Sequence, residues 1–198
     1  SSAFKDGLDL QTAAAWATEY YKDFVSDGDA PEYFELMNEP FVHADDFYTG
    51  GWNNDENLRI VQQMTEFYNE VGKSIHADPA LANIKVIGYS AAWASLELND
   101  FGHWNNYMKR FMDVAGNNMD GFSTHLYDGI NVTGQDSNRS GSNSEAILDL
   151  IENYSYIKWG EVKPHAITEY GGIEKGYGDD FSLIANVQSL KAINHLLF

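Results

Sequence analysis

The chain has 198 residues, of which 43% are apolar and 14% aromatic, enough for one folded domain or part of a larger one. Its 30 acidic and 12 basic side chains give a formal charge of −18, which repels phosphate backbones and anionic lipid, so nucleic acid and membrane surfaces are poor partners. No cysteine is present, which excludes disulfides and thiolate metal sites, and no apolar run approaches the roughly 20 residues that span a bilayer.

In chain order, Ala13, Trp16, Ala17, Tyr20 and Phe24 fall at helical spacing, and Asp27-Gly28-Asp29-Ala30-Pro31 breaks that helix ahead of a strand at 33–37. Leu58, Val61, Thr65, Tyr68, Val71 and Ile75 form a second stripe, followed by a strand at 84–89. A third stripe, Trp104, Tyr107, Met108, Phe111, Met112 and Ala115, is stopped by Gly116-Asn117-Asn118 and precedes a strand at 121–125. A polar loop is expected over 128–143. Ile147, Leu150, Ile151, Tyr154 and Ile157 then make a fourth stripe before a strand at 165–168, and a last helix starts near Asp180.

Four strands alternating with five helices predict an α/β fold with a parallel sheet, either open and doubly wound or closed as an eight-stranded barrel. Periodicity does not separate the two, but no Gly-x-Gly-x-x-Gly follows any strand, which favours the barrel. A closed barrel takes about 250 residues. Residues 1–198 are therefore expected to form part of a (β/α)8 barrel, with the remainder of the barrel in sequence outside this segment.

Two glutamates stand at strand mouths, Glu39 in Phe34-Glu35-Leu36-Met37-Asn38-Glu39-Pro40 and Glu169 in Ala166-Ile167-Thr168-Glu169-Tyr170-Gly171-Gly172. Two carboxyls about 5 to 5.5 Å apart are what retaining glycoside hydrolysis needs, and parallel strand ends of one barrel can supply that convergence. Pro40 should hold Glu39 extended. Taken alone, Glu169 fits a turn-capping glutamate as well as a nucleophile; paired with Glu39 it points to chemistry. Glu35 lies deeper along the first strand and reads as a paired carboxylate inside the barrel with a structural role.

Asn38-Glu39-Pro40 followed 130 residues later (169 − 39) by Glu169 resembles the large retaining clan of (β/α)8 glycoside hydrolases, clan A. On that mapping the four strands are the fourth to seventh of the barrel, the segment runs from about helix 3 to helix 7, and strands one to three and eight lie elsewhere. Within the clan, the motif around Glu39, the segment His125-Leu126-Tyr127-Asp128 and the motif around Glu169 are similar to the β-agarase and β-porphyranase family, glycoside hydrolase family 86.

The resemblance implies that Glu39 is the acid/base and Glu169 the nucleophile of a double displacement on a β-linked galactan. It also implies that Asn38 binds a sugar hydroxyl and that His125 and Tyr127 orient the nucleophile or touch the sugar. Core packing suits His125 equally. Trp93, past the second strand of this segment, is expected to stack on a sugar ring, with Trp52 behind it.

The cluster His43-Ala44-Asp45-Asp46 has no metal-ligand spacing and reads as a solvated loop, so no cofactor is required. The low count of basic residues inclines the substrate toward neutral over sulfated galactan. An extracellular or periplasmic location follows from a polysaccharide substrate being too large to import. The alternatives are a clan A β-glycanase acting on xylan, mannan or glucan, a metal-dependent hydrolase of the same barrel class, and a noncatalytic carbohydrate-binding unit.

Overall fold

Alternating helix and strand build a four-stranded parallel sheet in the order β1-β2-β3-β4, the same as the chain order. The structure, a computed structural model, describes residues 9–28, 30–40, 55–91, 102, 104–129 and 141–173. The elements are α1 (Leu10–Ser26), β1 (Tyr33–Glu35), α2 (Asp55–Ala77), β2 (Lys85–Ala91), a π-helical turn (Trp104–Met108) running into α3 (Lys109–Val114), β3 (Gly121–Gly129), α4 (Gly141–Trp159) and β4 (His165–Ile173). Each strand is joined to its parallel neighbour through a helix, the arrangement of part of a (β/α)8 barrel.

Local signals set the helix ends. Asp9 caps α1 by accepting from the Thr12 amide at 3.2 Å and the Thr12 hydroxyl at 2.8 Å, and Gly28 at φ +82° ends the run. Asp55 and Glu56 lie in the first turn of α2, where the helix dipole favours negative charge, and His76 lies in the last.

The apolar core lies between the sheet and its helices. Tyr68 of α2, Tyr89 of β2, Phe111 of α3 and Phe122 of β3 form its aromatic centre, with the Tyr89 and Phe111 rings stacked at 4.5 Å and Tyr68 edge-on to Phe111 at 5.1 Å. Burying each such ring contributes roughly 1.5–3 kcal/mol. Gly88 makes room for this cluster, since a Cβ there would stand 2.7 Å from Phe111 Cζ and 2.8 Å from Tyr68 Cε1.

Asp113 ties α4 to α3. Burial works against its charge, but Lys109 at 2.7 Å, Lys158 at 2.6 Å and the Tyr154 hydroxyl at 2.6 Å outweigh that and hold the carboxyl down at about 2.

Several expectations need correction. The buried face of α1 is Ala14, Ala17, Thr18 and Tyr21, which shares Ala17 with the anticipated stripe and is otherwise turned one position from it. Trp16, Tyr20 and Phe24 are 72%, 50% and 39% exposed, and Trp16 and Tyr20 stack on each other. Both sets repeat at helical spacing, so periodicity could not choose between a face of Ala14, Ala17, Thr18 and Tyr21, whose ring stacks on Phe34 of β1, and the larger residues that stay outside.

Ile157, placed in the fourth stripe, is also exposed, whereas Leu148, outside that stripe, is buried. The first strand ends at Glu35 rather than at 37. The expected loop over 128–143 is shorter, because β3 continues through Gly129 along β4 and α4 begins at Gly141. The expected helix from Asp180 lies outside the described residues. Among the described residues no helix is long and apolar enough to cross a membrane.

His165 opens β4 with Nε2 3.0 Å from the Thr124 hydroxyl, and burial pushes its imidazole down to about 4 from the usual value near 6.5. The unfolded chain therefore binds a proton here before the folded one does, so stability is full above pH 6.5 and falls as pH drops toward 4. We expect a loss on the order of 2 kcal/mol across that window. His165→Asn should flatten this part of the stability profile in urea melts taken from pH 7 to pH 4.

Candidate active site

Two one-residue shifts in strand register determine which side chains reach the concave face. Between β2 and β3 the pairing steps from Gly88 opposite Phe122 to Ala91 opposite Thr124, so β2 carries one extra residue. Tyr89 follows Gly88 onto the helix side, where it stacks on Phe111, and Ser90 turns inward with its amide donating to Ser123 Oγ at 2.9 Å. Between β3 and β4, Thr124 faces Ile167 and His125 faces Glu169, so Thr168 is the extra residue. Thr168 and Glu169 both reach inward: Thr168 donates to Glu35 Oε1 at 3.1 Å and Glu169 approaches His125.

His125 is the meeting point. Its side chain is 1% exposed, with Nδ1 2.7 Å from Glu39 Oε1 and 3.7 Å from Glu169 Oε2, while Nε2 is 3.0 Å from Ser90 Oγ. Ser90 Oγ also accepts the Glu39 amide at 3.3 Å. Below this layer, Ser123 donates a short hydrogen bond to Glu35 Oε1, the oxygen that Thr168 also uses. All four strands or their ends thus contribute to one polar network on the concave face.

The segment carrying Glu39 is fixed from the helix layer. The buried Tyr68 hydroxyl accepts the Met37 amide at 2.9 Å and donates to the Met37 carbonyl at 3.0 Å, pairing both backbone groups two residues before Glu39. Burial raises the Tyr68 hydroxyl well above its usual range, so it stays a neutral donor.

Glu39 itself is not extended, as Pro40 suggested. Its φ is +44°, in the left-handed region that non-glycine residues seldom occupy. The tertiary bonds from its amide to Ser90 and from its carboxylate to His125 outweigh the local bias.

The structure therefore brings Glu39, His125 and Glu169 together: one ligand-type atom from each lies within 4.8 Å of the others. Such a set can share and pass protons, or hold a divalent cation through one nitrogen and two oxygens. Glu169 keeps 44% of its side-chain exposure, against 22% for Glu39, so the pair opens to solvent on its Glu169 side.

Asn38 is exposed beside Glu39. Tyr127 continues β3 with its backbone opposite Gly171, and its side chain lies outside the described residues, as do Trp93, Trp52 and the His43 to Asp46 cluster. Glu35 is on the concave face, and among the described residues it accepts from the Ser123 and Thr168 hydroxyls. Sequence reasoning missed Ser90, Ser123 and Thr168. A serine or threonine within a strand is unremarkable until a register shift turns it inward.

A parallel sheet whose strand ends converge on two carboxylates and an imidazole marks the chain as part of a (β/α)8 barrel of the glycoside hydrolase class, and comparison with known proteins gives the family. The chain is 52% identical over 194 residues to β-porphyranase A of Phocaeicola plebeius. It is 40% identical over 154 residues to a funoran endo-β-hydrolase of Wenyingzhuangia aestuarii. These alignments take in 97% and 77% of this chain but 26% and 20% of the relatives, so the chain spans about a quarter of their length or less.

Among solved structures, a β-porphyranase of family 86 from the human gut bacterium Bacteroides plebeius superposes with a TM-score of 0.73 at 47% identity, covering 97% of this chain and 32% of that one. BuGH86 in complex with neoagarooctaose superposes at 0.74 with 29% identity, covering 91% and 31%. No family model matches the chain. The chain belongs to the β-porphyranase and β-agarase family, glycoside hydrolase family 86.

Tyr68→Phe tests the support from the helix layer. Removing one hydroxyl orphans both the Met37 amide and carbonyl, and we expect a destabilisation of about 1–3 kcal/mol in denaturant melts.

Proposed function

We propose that this chain supplies the catalytic pair of a retaining glycoside hydrolase that cleaves β-linked galactan of the agarose and porphyran type, with Glu39 as acid/base and Glu169 as nucleophile. The observation that carries the reading is that one oxygen of each carboxylate lies within 4.8 Å of the other beside His125. Retaining enzymes hold their carboxyls about 5–5.5 Å apart, whereas inverting enzymes leave about 6.5–9.5 Å for a water.

In the first step Glu39 gives its proton to the glycosidic oxygen as that bond breaks and a Glu169 oxygen bonds to the anomeric carbon. In the second step Glu39 takes a proton from water as the water oxygen displaces Glu169, and the configuration is retained. His125 would orient Glu39, Asn38 a sugar hydroxyl, and Tyr127 and Trp93 the sugar.

The substrate class draws its support from relatives named for porphyran, funoran and agar. The charge of −18 inclines toward a neutral polymer, while the 52% identity to a porphyranase inclines toward a sulfated one, so agarose and porphyran are the two substrates to compare. Action on such polymers would place the protein outside the cytoplasm, extracellular or periplasmic. The test is proton NMR of the first product released by the full-length protein, which should have the β configuration. Glu39→Gln should lower kcat by about 10²- to 10⁴-fold, and Glu169→Gln should abolish the glycosyl-enzyme route. First product in the α configuration would sink the retaining assignment, and no turnover on either polymer would send the search to xylan, mannan and glucan.

A second reading, metal-dependent hydrolysis, is favoured by one observation, the Glu39, His125 and Glu169 set with its metal-compatible spacing. The double-displacement reading predicts that exhaustive chelation leaves kcat unchanged, and loss of turnover restored by a divalent cation would reverse the preference.

A further inference from the structure

We propose that Ser90 is a positioning residue for the acid/base step: its hydroxyl fixes the tautomer of His125 and thereby selects the Glu39 oxygen that carries the acid proton. The inference rests on Glu39 being the acid/base. Ser90 is fully buried and sits at φ +53°, so the chain holds a non-glycine residue in a region with little steric room for one. What that placement achieves is the aim of its single hydroxyl proton.

The donors can be assigned one by one. Ser123 spends its proton on Glu35 and accepts the Ser90 amide. Ser90 Oγ accepts the Glu39 amide, which leaves its own proton to place, and His125 Nε2 stands 3.0 Å away. If Ser90 donates to Nε2, that nitrogen is a lone pair, the ring proton is on Nδ1, and Nδ1–H donates to Glu39 Oε1 at 2.7 Å. Every member of the chain is then paired.

If Nε2 carried a proton instead, the Ser90 hydroxyl would have no acceptor among the described residues, in a site where both side chains are buried. An imidazolium meets the same obstacle. The neutral Nδ1–H tautomer is therefore the one this packing selects.

The consequence falls on Glu39. With Oε1 already accepting from Nδ1–H, the acid proton resides on Oε2, and Oε2 gives it to the glycosidic oxygen and later takes one from water. His125 keeps its proton throughout both steps. Without the Ser90 hydroxyl the ring is free to adopt the Nε2–H form, whose bare Nδ1 draws the Glu39 proton onto Oε1, away from the sugar.

Ser90→Gly in the full-length protein separates hydroxyl from backbone, because glycine accepts φ +53° without strain. Two galactosidic substrates are compared: the polymer, whose leaving alcohol needs a proton, and a dinitrophenyl glycoside, whose leaving group departs without one. We expect kcat/KM on the polymer to fall about 10- to 10²-fold, part of the about 10²- to 10⁴-fold that a positioned acid supplies, with kcat/KM on the dinitrophenyl glycoside, which reports only the step that forms the glycosyl enzyme, changed by less than about 2-fold. The imidazole nitrogen-15 spectrum should show His125 as pure Nδ1–H in the wild type and as a mixture in Ser90→Gly.

Equal loss on both substrates, or an unchanged tautomer in the variant, overturns the role of Ser90. So does an Nε2–H or imidazolium signal in the wild type, which needs no variant to fold. Glu39→Gln serves as the reference: if it lacks the leaving-group dependence, the acid/base reading itself fails, whereas its presence there and absence in Ser90→Gly removes only this inference.

Discussion

A buried imidazole must have both nitrogens paired, and the concave face of this sheet is organised around meeting that demand for His125. Nδ1 is met by Glu39 and Nε2 by Ser90, residues that reach it from the segment after β1 and from β2, while Glu169 comes alongside from β4. Each of those approaches requires the backbone to depart from regular strand geometry. Glu39 and Ser90 take positive φ, and β2 and β4 each carry an extra residue where their ladders to β3 slip. Such departures cost free energy locally and persist only where surrounding packing over-determines them. Here that packing is the aromatic cluster on the opposite face of the sheet, with Tyr68 reaching past it to grip the Met37 backbone.

The division of labour between the two faces is sharp. Tyr89 and Ser90 are consecutive residues of one strand, yet the first is a core ring stacked on Phe111 and the second belongs to the polar network. The slip in β2 is what lets Gly88 and Tyr89 both face the helices and delivers Ser90 in phase with Ser123 and His125. Polar groups on the concave side are satisfied mostly by one another: serine to serine, serine and threonine to Glu35, serine and glutamate to histidine. Preorganised networks of this kind hold reactive groups in place at little further entropic cost.

How much of this was legible in the sequence differs by level. The alternation of apolar stripes and short β-rich runs was enough for the parallel α/β fold, and the motifs around Glu39 and Glu169 were enough for the family. Which face of α1 is buried was not legible, because Ala14-Ala17-Thr18-Tyr21 and Trp16-Tyr20-Phe24 share one period and only packing against α2 separates them. The conformation of Glu39 was misread because the bias imposed by Pro40 is local, whereas the bonds from Ser90 and His125 come from residues 51 and 86 positions away. Ser90 and Thr168 escaped notice because strand parity, the rule that sorts inward from outward residues, breaks at the register slips that bring them in.

Strand order that follows chain order has a kinetic side. Each of these strands pairs with the one before it, so this part of the sheet closes one helical crossover at a time and can grow in the direction of synthesis. Part of the polar network is different: Thr168 meets Glu35 across 133 positions, and Glu169 joins His125 only when β4 docks. Helices and core can thus be in place on the nascent chain while Thr168 and Glu169 are still apart from Glu35 and His125. The approach of Glu169 to Glu39 is then a later event than the packing of the core, and an error in β4 leaves that core in place with the two carboxylates apart.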